Sequence, residues 1–279
     1  LSMSTLARLQ RAHDGMAHSV MLEIQYRMHH DIQAFPSRQY YGGRLRCGLR
    51  ASNLPQPVAG FPWPAMGKPA RDDLQRQLNQ VEGEAVASRE VHRVVFVHCG
   101  GEERQADAGS IENMAQVEVI EAILRRVQTG GSILVLSPYS AQVRQLTSRK
   151  NIRGAVISSV DAAQGQEADL VVISMVRANP RGATGFTNDA RRLNVAITRA
   201  RAGVIIVGHV PTVLTATDSG MPDLLQHLSA LGCVLTGSDP PVPMRPEAFA
   251  ALVHQQPAPP QDDKSLGTAV KKNKDHLQR

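Results

Sequence analysis

The sequence predicts an α/β domain built on an open, mostly parallel sheet flanked by helices. Three observations point there. Apolar, β-rich runs alternate with helical stretches along most of the 279 residues. Several runs are unbroken Val, Ile and Leu rather than strict alternations, as expected where both faces of a strand are covered. Strand–helix–strand succession is the pattern that joins parallel neighbours.

The strands expected are residues 20–24, 94–98, 133–137, 156–160, 170–176 and 204–208. The clearest helix is 113–128, where Val117, Ile120, Ile123, Leu124 and Val127 recur at helical spacing. Gly130 and Gly131 are expected to stop it. Residues 51–69, rich in Pro and Gly, read as an irregular loop, and 72–89 as a polar surface insertion of helical character. The domain body is expected over 20–238, preceded by a connecting helix over 1–19. The Pro-rich stretch after Asp239, ending in Lys271, Lys272 and Lys274, is expected to be a disordered tail over 239–279.

Composition narrows the function classes. Hydrophobic residues make up 42% and charged residues 20%, enough for a packed core. No stretch approaches the roughly 18 unbroken apolar residues of a membrane span, so no membrane partner is expected. Arg8, Arg11, His13 and Asp14 interrupt the opening segment, which is unlike a signal peptide. Cys47, Cys99 and Cys233 lie far apart with no C-x-x-C pair. That disfavours a metal site or disulfide framework and points to a reducing compartment, cytoplasmic or nuclear. A net charge of +6 and a pI near 9.5 favour a polyanionic partner.

Three segments carry polar chemistry, and all are expected at the carboxyl edge of the sheet, where such folds bind ligands. In Gln25-Tyr26-Arg27-Met28-His29, a ring beside a guanidinium suits a nucleotide: the ring covers a base and the fork grips phosphate oxygens. On spacing alone, such a pair is more often structural. Residues 159–167 form a polar, Gly-containing turn between apolar runs, able to offer backbone N–H groups to a phosphate or to serve as a plain connection. The third segment spans 191–201. On a helix, Leu193, Ile197 and Ala200 share the sheet-facing stripe, Arg192, Ala196 and Arg199 a second, and Asn194, Thr198 and Arg201 a third. Its four arginines lack the Glu partners of a solvated helix face. Unpaired arginines at a domain edge suit stabilisation of a transferring phosphoryl group.

Together and in this order, the segments resemble the second RecA-like domain of superfamily 1 helicases, in particular the regulator-of-nonsense-transcripts helicases and relatives such as senataxin. The resemblance rests on QYRMHHDIQAFPSRQYYGGRL at 25–45, Ser137-Pro138-Tyr139 with Gln142, VDAAQGQEADLVVISMVRAN at 160–179, and GFTNDARRLNVAITRARAGVIIVGH at 185–209. It implies a RecA-like fold and an ATP-dependent helicase of the kind linked to nonsense-mediated decay. By that resemblance Tyr26 packs on adenine, Arg27 contacts the γ-phosphate, Glu167 holds the ribose, and Gln164 and Gly165 lie near the phosphates. Arg199 would be the arginine finger. Ser159, Val160 and Asn194 would lie near the nucleic-acid strand or support residues that do, and Tyr139 would be structural or touch it.

The same resemblance implies ATP and Mg²⁺ as cofactors, and single-stranded RNA or DNA as partner. His30 stands where the family has proline, Ala163 where it has an aromatic residue, and Gln166 where it has arginine. No G-x-x-x-x-G-K-S/T motif occurs, since Gly67-Lys68-Pro69 lacks both the upstream glycine and the hydroxyl residue. The P-loop and Mg²⁺ ligands are therefore expected from a first RecA-like domain of the same protein. The rival expectation is a non-catalytic nucleic-acid-binding module derived from a helicase, against which the retained Arg27, Glu167 and Arg199 argue.

Overall fold

The computed structural model describes residues 20–82, 90–106, 109–152 and 154–255. The connecting helix expected over 1–19, residues 83–89 of the expected insertion and residues 256–279 of the expected tail lie outside the described residues.

The chain opens with β1 (Ile24–Gln25), α1 (His30–Tyr40) and β2 (Arg46–Cys47), β1 and β2 pairing in parallel apart from the main sheet. After a loop come α2 (Lys68–Glu82), the first long strand β3 (Val94–His98), and the small antiparallel pair β4 (Arg104–Gln105) and β5 (Ile111–Glu112). Then follow α3 (Met114–Arg126), β6 (Ile133–Ser137), α4 (Ser140–Thr147), β7 (Ala155–Ser159) and β8 (Ala168–Ser174). The chain continues through α5 (Ala190–Ile197), β9 (Ala200–Gly208), the short α6 (Val210–Val213), α7 (Met221–Ala230), β10 (Val234–Thr236) and α8 (Pro246–His254).

Six strands form one sheet in the order β10-β3-β9-β8-β6-β7, and every neighbouring pair is parallel. Successive strand residues face opposite sides of a sheet. Ile205 and Ile206 on β9 are both wholly buried, so helices cover both faces, the architecture expected of a RecA-like domain. Burying each such side chain contributes about 1.5–3 kcal/mol. The unbroken apolar runs of β6, β8 and β9 follow from this double burial.

Several boundaries differ from expectation, each for a physical reason. Residues 20–24 do not join the sheet: Val20, Leu22 and Ile24 are exposed on alternate positions, and only Ile24–Gln25 finds a strand partner. β8 ends at Ser174 because Val176, wholly buried, takes φ 66°, a left-handed conformation that turns the chain. α3 stops at Arg126, before Gly130 and Gly131. There the backbone turns extended, and Gln128 N–H donates to the Ala59 carbonyl at 2.9 Å. Gly60, at φ 84°, permits that approach, since a Cβ would run into the Arg126 carbonyl oxygen. Helix α8 lies in the stretch expected to be disordered.

The parallel topology has one consequence for function. A chain leaving the carboxyl end of one strand must return to the amino edge before entering its parallel neighbour. Residues 160–167 and 189–199 make that return, into β8 and β9. Arg192 of α5 ties the two returns together, with a fork on Asp161 at 3.0 and 3.1 Å.

The loop over 51–66 is pinned at the start of β3 by Arg93, a buried guanidinium. It is held by the Glu90 carboxylate at 2.5 Å, the Pro55 carbonyl at 2.9 Å and the Val91 carbonyl at 3.2 Å. Removing one member of a buried pair leaves the other charge uncompensated. Glu90→Ala should therefore cost about 3–5 kcal/mol in urea unfolding, and Glu90→Ala combined with Arg93→Met should recover part of that loss. A double variant no more stable than Glu90→Ala would contradict this account of the pair.

Candidate functional site

At the amino edge of β8 and β9 the chain gathers three guanidiniums around two carboxylates. Glu167 accepts from Arg27 Nε at 2.5 Å and pairs with Arg201 Nη2 at 3.1 Å. Arg201 also reaches Asp169 at 3.5 Å. Arg199 donates through Nε to the Val195 carbonyl at 3.1 Å and through Nη1 to the Gln166 carbonyl at 3.2 Å. The hydrogen bond from Arg27, together with the charges of Arg27 and Arg201, holds the Glu167 carboxyl below its ordinary range, with desolvation opposing. Burial, and then repulsion from Arg27, lower the affinity of Arg199 for its proton, with Glu167 and Tyr41 opposing. A guanidinium stays protonated regardless. The cluster thus holds like charges close together at a half-exposed edge, an arrangement that suits a polyanion.

The placement of Arg27 follows from Gln25. Its Oε1 accepts the backbone N–H groups of Arg27 and Met28, both at 2.7 Å, while Nε2 donates to the Met28 carbonyl and to Gln33 Oε1. One amide therefore clamps the whole turn. His29 caps α1 by accepting the Asp31 N–H on Nδ1, and its own N–H donates to the Arg201 carbonyl at 3.0 Å. This last bond sews the turn to β9. Arg27 Nη1 donates to the Thr198 carbonyl at 3.0 Å. Tyr26 is 69% exposed and lies over Gly48, where a Cβ would collide with the ring. A cleft of about 630 Å³ beside it is lined by Tyr26, His30, Gln33, Ser37 and Arg38.

The structure thus brings Arg27, Glu167 and Arg199 together and adds Arg201. Asn194 joins this side too: its Nδ2 donates to the Tyr41 hydroxyl at 3.0 Å, and its Oδ1 is buried without a hydrogen-bond partner among the described residues. Tyr139, Ser159 and Val160 lie at the opposite, carboxyl edge. Tyr139 is buried, its hydroxyl taking a bond from Arg177 at 3.3 Å. Val160 is buried, and Ser159 Oγ accepts the Ala162 N–H at 3.1 Å. Gln164 lines a pocket of about 220 Å³ with Asp161, Arg191 and Arg192, while Gly165 turns the chain at φ 87°.

Three expectations need correction. The segments do not all sit at the carboxyl edge: Arg27, Glu167 and Arg199 gather at the amino edge, because the two returns deliver them there. Arg199, Ala200 and Arg201 are not on the helix. α5 ends at Ile197, and the Arg199 carbonyl already accepts the Ala168 N–H at 3.0 Å as the β8–β9 ladder begins. Nor are all four arginines unpaired. Arg192 is held by Asp161 and Asp189, and Arg201 by Glu167 and Asp169. Those partners come from other segments or from the helix cap, which spacing along one helix does not reveal. Sequence reasoning also passed over Gln25 and Tyr41, whose roles depend on contacts made only after folding.

No group of three or more His, Cys, Asp or Glu suited to a metal ion occurs among the described residues, and Cys47, Cys99 and Cys233 are buried free thiols. Glu167 and Asp169 are both engaged by arginine, so this edge suits the anionic part of a nucleotide rather than its cation.

The parallel sheet flanked by helices is that of a RecA-like helicase domain, with an arginine-lined edge. A family model described as an AAA domain matches residues 1–211, and the chain belongs to that family, among superfamily 1 helicases of the regulator-of-nonsense-transcripts type. It is 30% identical over 232 residues to the ATP-dependent helicase NAM7 of Saccharomyces cerevisiae, covering 78% of this chain and 21% of that protein. It is 34% identical over 202 residues to the putative regulator of nonsense transcripts 1 of Takifugu rubripes, covering 68% and 16%. It is 31% identical over 233 residues to the probable helicase MAGATAMA 3 of Arabidopsis thaliana, covering 75% and 24%. The chain therefore spans about a fifth of the length of these relatives.

His29 gives the site's anchoring turn a pH signature. Burial, then the charge of Arg93, push its imidazole down to about 3 from an ordinary 6.5. Below pH 6.5 the unfolded chain binds a proton there that the folded chain refuses until about pH 3, so stability falls as pH drops through that window. The His29 contribution is at most about 1.4 kcal/mol per pH unit. His29→Asn keeps a capping acceptor and should flatten the decline in urea stability between pH 6.5 and 5. An unchanged slope would show that His29 takes up its proton in the folded state.

Proposed function

We propose that this chain is the second motor domain of an ATP-dependent nucleic-acid helicase, completing with arginines an ATP site whose P-loop and Mg²⁺ ligands lie on a first RecA-like domain. The observation that carries this reading is the meeting of Arg27, Glu167 and Arg199, from three separate segments, at one edge. Family membership supports it, as do the names of the relatives.

In this reading Tyr26 covers the adenine with its exposed ring. Glu167 is the resting counter-ion of Arg27 and turns to the ribose hydroxyls when a triphosphate draws the Arg27 fork away. ATP with Mg²⁺ supplies the phosphoryl group that is cleaved. Arg199, braced by the Val195 and Gln166 carbonyls, is aimed at charge that builds up as the γ-phosphoryl leaves. Gln164 and Gly165 approach the phosphates from the return between β7 and β8. Asn194 supports the Arg199 segment through Tyr41. At the far edge Ser159 and Val160 shape a surface for single-stranded RNA or DNA, with Tyr139 beneath it, and closure of the motor pair around ATP moves that surface along the strand.

In the protein with both motor domains, Arg199→Ala should lower kcat by about three orders of magnitude with little change in nucleotide affinity. Arg199→Lys should rescue poorly, since lysine keeps the charge but loses the planar fork. Arg27→Ala should weaken both binding and turnover. The chain by itself should hydrolyse no ATP above background. Hydrolysis by the chain alone, abolished by Arg199→Ala, would overturn the half-site reading.

A further inference from the structure

At the carboxyl edge one large apolar side chain stands out of place. Phe186, in the short 3-10 turn Gly185–Asn188, is 55% exposed, whereas Phe35, Phe61 and Phe96 are buried. It is nevertheless held firmly. The Arg192 guanidinium lies over its ring, 5.0 Å from the centroid. The Tyr139 ring meets it nearly edge-on, at 5.8 Å and 69°. Arg192 is in turn fixed by the fork on Asp161 and by Asp189 at 3.5 Å. Gly185, at φ 53°, lets the turn press against Tyr139, since a Cβ there would meet the Tyr139 hydroxyl at 2.6 Å and the Arg177 guanidinium at 2.8 Å. An aromatic ring braced on several sides and left open to solvent gains nothing for the fold by its exposure. It is pre-organised for a partner.

The surroundings identify the kind of partner. Phe186 borders an apolar slot lined by Pro138, Val160, Ile173 and Met175 at the carboxyl ends of β6, β7 and β8. Next to the slot is the pocket that holds Gln164 and Arg191. The Arg191 guanidinium makes no ion pair among the described residues, unlike Arg192 beside it. A flat ring, a narrow apolar slot and a cation one step away match the π-face of a base joined to its phosphate. An apolar protein surface would need a wider contiguous patch and no free cation at its border.

We propose that Phe186 is a stacking platform for one unpaired nucleobase of a single strand, with Arg191 on the neighbouring phosphate. This rests on the nucleic-acid half of the proposed function and adds a base-contacting residue to it. Because every base has a π-face, the platform tolerates any sequence but requires that a base be present.

The test uses the full-length protein and fluorescence anisotropy with two probes: a single-stranded oligonucleotide, and the same backbone with abasic sites. Phe186→Ala should weaken binding to the first about tenfold and leave binding to the abasic strand unchanged. Phe186→Leu, which keeps apolar bulk without the π-face, should lose as much. Phe186→Trp should retain affinity, and folding of each variant is checked by circular dichroism. Arg191→Ala should weaken both probes alike and reduce the slope of log affinity against log salt by about one. If Phe186→Leu binds the base-bearing strand like the unsubstituted protein, or loses equally on both strands, the platform is wrong while strand binding stands. If the unsubstituted protein binds neither probe, the nucleic-acid reading itself fails and the platform with it.

Discussion

Parallel pairing of β8 with its neighbours governs what the rest of the domain can do. Each parallel step obliges the chain to travel the full height of the sheet between strands. The returns over 160–167 and 189–199 therefore have one end at each edge. Their carboxyl-edge ends carry Val160, Asp161, Asp189 and Arg192, and their amino-edge ends carry Glu167, Arg199 and the entry to Arg201. The fork between Arg192 and Asp161 binds the two returns side by side. The proposed sites for a nucleotide and for a strand are then opposite ends of one pair of packed segments. Helix α5, eight residues long, joins the turn that holds Phe186 to the segment that carries Arg199. In the proposed reading both sites adjoin this one short element, through which they can be coupled.

The amino-edge cluster is better understood as a positioning device than as a source of stability. Glu167 and its arginines are partly exposed, and ion pairs in such settings contribute little to folding. What Glu167 does is offset the repulsion among Arg27, Arg201 and Arg199. The firm bonds are those of the backbone: Gln25 closing the turn, His29 N–H on the Arg201 carbonyl, and Ala168 N–H on the Arg199 carbonyl. They fix where each guanidinium begins while leaving its far end free to exchange partners.

The parts of this architecture legible in the sequence are those that depend on short-range patterns. The strands around Val135, Val172 and Ile205 show as continuous apolar runs because both their faces are buried, and α3 shows because its buried face repeats at helical spacing. The meeting of Arg27 with Glu167 and Arg199 was legible only through the resemblance of whole motifs, since Arg27 lies more than a hundred positions before the other two. Hidden were features set by tertiary contact. Nothing in the chemistry of a valine announces that Val176 will sit at φ 66°, a conformation costing about 1–3 kcal/mol. It is held there by Gln116 accepting its N–H at 2.8 Å and Asn113 donating to its carbonyl at 3.1 Å. The end of α5 before Arg199 was equally hidden, because the first ladder bond to Ala168 wins over helical propensity.

The central claim is that Arg27 and Arg199 are aimed at the terminal phosphate rather than at the nucleotide as a whole. Calorimetric titration of the protein with both motor domains, using ADP and a non-hydrolysable ATP analogue, tests this directly. The unsubstituted protein should prefer the triphosphate, and the variant carrying both Arg27→Ala and Arg199→Ala should lose that preference while binding ADP nearly as before. Equal weakening of both nucleotides, with the preference intact, would place these arginines elsewhere and contradict the account.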